Sequence, residues 1–174
     1  MVLELAFSFD DHFRLPTIKV GIDNVVLYHG PVNSHYKFDH ALKDGPHSLW
    51  IEHYGKDLHE TNGEHDTHVN IERIVFDGVD LDQLDYCKLT HRGQFYPDYA
   101  ESYRVSCAES NTTLPEYIQP NHYLGHNGTW RLDFNTPELL WIITEQNPSG
   151  MHLEDTMFST SSTVLTEIKD FFNL

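Results

Sequence analysis

The chain has 174 residues, enough to bury about 70% of its unfolded surface in a single core. It carries 27 acidic against 11 basic residues, a formal net charge of -16, and a field of that sign repels phosphate backbones and argues against direct nucleic-acid binding. Mean hydropathy is -0.47, and no apolar run approaches the roughly 18 residues of a membrane span, so no membrane association is expected.

Residues 1–6 lack a basic leader region and are interrupted by Glu4, which predicts synthesis in a cytoplasm without a signal peptide. In the first segment Leu3, Leu5, Phe7 and Phe9 alternate with polar positions, the period of a half-buried strand. Ile18, Val20 and Ile22 repeat that period, and Asp23-Asn24 marks a turn into 25–28. The stretch 36–81 is the densest β signal. Leu49 and Ile51 alternate against Trp50 and Glu52, a polar acidic loop covers 55–67, and a second run covers 69–76. In that second run the apolar positions change face between Ile71 and Ile74, which predicts a β-bulge near Glu72 and Arg73.

Residues 86–89 and 103–107 read as short strands, 93–101 as a loop, and 108–120 as a surface loop. Asn127-Gly128 carries the strongest short-range hairpin preference and precedes the alternation of Trp130, Leu132 and Phe134. After Pro137 the continuous apolar run 139–143 has the length of a buried strand. Only the tail reads as helix, over 163–172, with Val164, Leu165, Ile168 and Phe172 at helical spacing. Short strands and turn signals at intervals of about ten residues predict an all-β fold, an antiparallel β-sandwich of jelly-roll type over 1–150, with 151–174 as a C-terminal extension bearing a short helix.

Chemistry is sparsely marked. Cys87 and Cys107 lack metal-ligand spacing and read as two buried thiols, with one bridge as the alternative. The thirteen histidines show no repeated spacing beyond the neighbours His65, Asp66 and His68, and they read as ordinary surface residues. Oxygen donors in the acidic loop, Asp57, Glu64 and Asp66 among them, form a candidate calcium set beside the plainer reading of a solvated loop. Glu52 and Glu138 are the acids in strongly apolar surroundings, and neither is paired as hydrolysis requires, so no enzyme is expected. Tyr54, Tyr96, Tyr99 and Tyr123 lie in or beside predicted loops and are candidate platforms for stacking a sugar ring.

The run 38–81, with Gly45-Pro46-His47-Ser48-Leu49-Trp50-Ile51-Glu52, a polar loop, Asp66, and Ile71-Glu72-Arg73-Ile74-Val75-Phe76-Asp77-Gly78-Val79, resembles the core hairpin of small calcium-dependent xylan-binding β-sandwich modules. It also resembles small β-sandwich virion proteins of tailed phages of marine bacteria. That second resemblance extends to His126-Asn127-Gly128-Thr129-Trp130-Arg131-Leu132-Asp133-Phe134, Pro137 and Leu140-Trp141. The xylan-binding pattern continues as Asp-Arg-Asn where this chain has Asp66-Thr67-His68-Val69-Asn70, so Asp66 is the one matched ligand position.

The phage resemblance implies a virion structural protein, assembled in a host cytoplasm and present as a homo-oligomer or in many copies. It would contact other virion proteins through edge strands or through Val164, Leu165, Ile168 and Phe172 of the tail. The module resemblance implies the alternative, a carbohydrate-binding module with calcium as its candidate cofactor, contacting host-surface polysaccharide.

Overall fold

The computed structural model describes residues 1–61, 64–83 and 92–146. The expected tail helix, including Val164, Leu165, Ile168 and Phe172, the strand expected over 86–89, and Cys87 lie outside the described residues.

Two antiparallel sheets pack face to face. The first has the order β4 (His35–Asp39), β1 (Val2–Phe9), β6 (Val69–Phe76), β7 (Val79–Asp80), with β9 (Tyr123–Leu124) also pairing β6. The second has the order β3 (Val25–Pro31), β2 (Thr17–Ile22), β5 (Gly45–Tyr54), β10 (Gly128–Thr136), β8 (Gln94–Pro97). The chain passes repeatedly between the sheets, so the expected sandwich is the observed architecture, with two short helices added: α1 (Glu101–Glu109) and α2 (Glu138–Gln146).

The alternating residues of the sequence become the core. Leu3 and Leu5 of β1, Ile18 and Val20 of β2, Ile51 of β5, and Trp130 and Leu132 of β10 are at most 2% exposed. Full burial of each such side chain contributes about 1.5–3 kcal/mol, which fixes register, because a slip of one residue would turn the whole set outward. The bulge forms where the face change predicts it: Ala6 opposes Arg73 and Phe7 opposes Ile71, leaving Glu72 as the extra residue. At the β6–β7 turn, Asp77 (φ 46°) and Gly78 (φ 87°) take the positive angles a two-residue hairpin demands.

Five local expectations are corrected. Residues 103–107 form part of α1 rather than a strand. The alternation of Tyr103, Val105 and Cys107 does not track burial, since Tyr103 and Val105 are about half exposed and only Cys107 is buried. Residues 94–97, expected as loop, form β8 along β10, and residues 108–109, expected as surface loop, close α1. The run 139–143 is helical: Leu139, Trp141 and Ile142 are buried and Leu140 is exposed, a helical rather than alternating pattern started after Pro137. Asn127-Gly128 does not close a hairpin, because β9 pairs β6 in one sheet while β10 pairs β5 and β8 in the other. Gly128 is needed there for close approach, since a Cβ would sit 2.4 Å from the Tyr96 carbonyl oxygen.

Candidate binding cleft

At the end of the sandwich where β5 runs out, the acidic loop, the β9–β10 crossing and the start of α1 enclose an open cleft of about 570 Å³. The loop is a folded wall. Its 3-10 turn at Leu58–Glu60 is tied by Glu60 N–H to Asp57 O at 3.0 Å, and Thr67 N–H returns to Glu60 O at 2.9 Å. Glu60 itself is 3% exposed and paired with Arg14. Burial pushes its carboxyl up, but the Arg14 hydrogen bond and charge together with the Asp57 backbone N–H outweigh that and hold it below the usual carboxylate range.

Two stitches join this wall to the crossing segment. Lys56 N–H donates to Asn127 Oδ1 at 2.8 Å, and Asn127 Nδ2 donates back to Lys56 O at 2.9 Å, so one amide side chain does the work of a β-bridge. The Lys56 ammonium, 9% exposed, donates to the Gly125 carbonyl at 2.5 Å and to the Asp66 carboxylate. Asp66 also accepts from the Thr61 hydroxyl and the Tyr123 phenol. Burial raises its pKa and these donors, led by Lys56, lower it further, so it is held ionised below its ordinary value. Tyr123 shifts the other way, its acidity weakened by burial and by the carboxylate it donates to.

Beneath the crossing, His53 is 1% exposed and its Nδ1 lies 3.0 Å from Leu124 O and 3.1 Å from His126 O. Both partners are acceptors, so Nδ1 carries the proton. Burial pushes the imidazole pKa down to about 4 and keeps it neutral.

The opposite wall is α1, which presents Ser102, Tyr103 and Ser106 to the cleft, positions that share a helix face. Tyr103 is 45% exposed and stacks at 5.7 Å on Tyr99, which is buried; His126 packs against both rings. Tyr123 supplies a second half-exposed ring, tilted against His68 at 4.8 Å.

Of the residues singled out from sequence, Asp57, Asp66 and Tyr123 line this cleft, and Tyr99 lies beneath it. Tyr54 and Tyr96 line a neighbouring groove, while Glu64 is exposed on the loop outside both lining sets. Lys56, Tyr103 and His126 carried no local signal of a binding role and Asn127 was marked only as a turn residue: the partners of Lys56 and Asn127 are about 70 residues away in sequence, and Tyr103 read as a strand residue. The hydroxyls of α1, at positions 102 and 106, have i, i+4 spacing that marks them once the helix is recognised.

Calcium takes six to eight oxygens, and two of the loop carboxylates are already engaged by cations. Asp66 is engaged by an ammonium and two hydroxyls, and in the one compact group among the described residues, Asp57, His59 and Glu60, Glu60 is held by Arg14. What remains is a cleft with two half-exposed rings, hydroxyls, an amide and carboxylates. No protein-family model and no curated protein matches the sequence. A solved structure similar to this chain is "vCBM60 in complex with galactobiose", a carbohydrate-binding module, at 8% identity and a TM-score of 0.47, covering 76% of this chain and 97% of that one.

Proposed function

We propose that this cleft binds an uncharged polysaccharide. The observation that carries the reading is the pair of half-exposed rings, Tyr103 and Tyr123, on either side of a cleft lined also by hydroxyls, an amide, carboxylates, the Lys56 ammonium and the His126 imidazole. Flat rings take the apolar face of a pyranose, and surrounding acceptors take its hydroxyls. Asp57, Asp66 and Asp98 against Lys56, whose charge Asp66 already engages, leave the cleft acidic. Sulfated and uronate polymers are therefore disfavoured.

Calorimetric titration with neutral oligosaccharides tests this. Binding is expected to persist in a calcium chelator, and Tyr103→Ala or Tyr123→Ala should each weaken it about tenfold, the equivalent of 1.4 kcal/mol. Undiminished binding by both variants would refute the placement.

The second reading is a multicopy structural role in a tailed-phage virion. It rests on the resemblance of 38–81 and 126–141, supported by an exposed apolar edge on β3, where Val25 is 45% and Val26 54% exposed. The same titration discriminates: a chain that ignores every neutral glycan yet incorporates into assembled particles fits the second reading and not the first.

A further inference from the structure

A second groove, of about 450 Å³, lies on the outer face of the β3–β2–β5–β10–β8 sheet. Glu52, Tyr54, Tyr96 and Thr129 line it, and Thr129 pairs directly with Glu52 on one side and Tyr96 on the other, so these three share one face. Its lining is polar in character. The Glu52 carboxylate is fixed by Lys19 at 2.9 Å, and the Lys19 ammonium lies over the Tyr54 ring at 4.7 Å.

Asp98 and Asn127 line both this groove and the cleft. Between them the Asp98 N–H donates to the Asn127 carbonyl at 2.6 Å, so the divide is a hydrogen-bonded backbone ridge. The Asp98 side chain is 81% exposed above it. Each depression alone has the volume of a small-ligand pocket. Two that meet at a hydrogen-bonded ridge, both open to solvent, suit a chain crossing from one to the other.

Resting on the cleft being a sugar site, we infer that the groove at Glu52, Tyr96 and Thr129 is a second subsite, and that the ligand is an internal stretch of an uncharged polysaccharide rather than a chain end or free disaccharide. Once the first units are held in the cleft, the next enter the groove at high effective concentration, so occupancy of both multiplies affinity.

The test compares disaccharides with hexasaccharides of the xylo-, cello- and galacto-series on the full chain and on Thr129→Phe, which puts a ring into the groove from a strand position suited to aromatic residues. The hexasaccharide of the binding series should bind at least about tenfold tighter than its disaccharide. Thr129→Phe should remove that advantage, leave disaccharide affinity unchanged, and keep the native melting temperature. Equal affinity of the two lengths, or an advantage that survives Thr129→Phe, overturns the second subsite while leaving the cleft reading intact. No binding of either length in any series overturns both.

Discussion

Lys56 is the residue on which the cleft turns. Its ammonium is almost wholly withdrawn from water and is shared between a carboxylate on one wall and a backbone carbonyl on the crossing segment. Removing one partner of such a pair costs more than the pair contributes, because the other is left without compensation. Lys56→Met should therefore lower stability by about 2 kcal/mol, read from the denaturant midpoint. The double variant Lys56→Met with Asp66→Asn should lose less than the two single losses combined; strict additivity would show that the ammonium and the carboxylate do not act as a unit. Asp66 was legible from sequence as a special acid in a loop. Its partner was not, since a lysine beside an acidic loop reads as a solvated charge until the fold brings Gly125 to it.

At the scale of elements, the strands with one wet face were readable and the two helices were not. β1, β2, β5 and β10 each alternate because one face meets the core, so period alone identifies them. α2 is a nine-residue apolar helix, a length at which a continuous run does not distinguish helix from buried strand. α1 is polar, with Cys107 its one buried residue, so no apolar stripe announces it. Missing α1 hid the wall that carries Tyr103. β8 was hidden for a different reason: what sets it beside β10 is Gly93, lying against the fully buried Trp130. A Cβ at position 93 would stand 2.0 Å from the indole ring, which has no room to move. Gly93→Ala should accordingly destabilise the fold by about 1–3 kcal/mol in chemical denaturation, and a neutral result would contradict this packing of β8.

For the whole molecule, the charge of -16 weighs against polyanions as partners without selecting any ligand, and stability should follow pH through the histidines. His53 is held down to about 4 by burial against an ordinary 6.5, and burial with the nearby Lys56 charge lowers His126 as well. Between those limits the unfolded chain binds protons that the native chain refuses, so stability falls as pH drops from 6.5 towards 4, by about 3 kcal/mol for His53 at most. His47 is raised by its hydrogen bond to Asp23; its contribution is complete below 6.5 and is lost only as pH rises through the folded value, so it does not mask the acid slope. Melting curves from pH 7 to 4 should show that slope, and His53→Gln, which keeps a donor and does not titrate, should flatten it; an unchanged slope would remove His53 as the cause. The central claim, a sugar-binding cleft between α1 and the acidic loop, is tested most directly by amide chemical-shift mapping with neutral hexasaccharides of the xylo-, cello- and galacto-series. Saturable shifts concentrated at residues 56–57, 98–106 and 123–129 are the predicted result, and saturable shifts confined elsewhere, or none with any of the three, would contradict it.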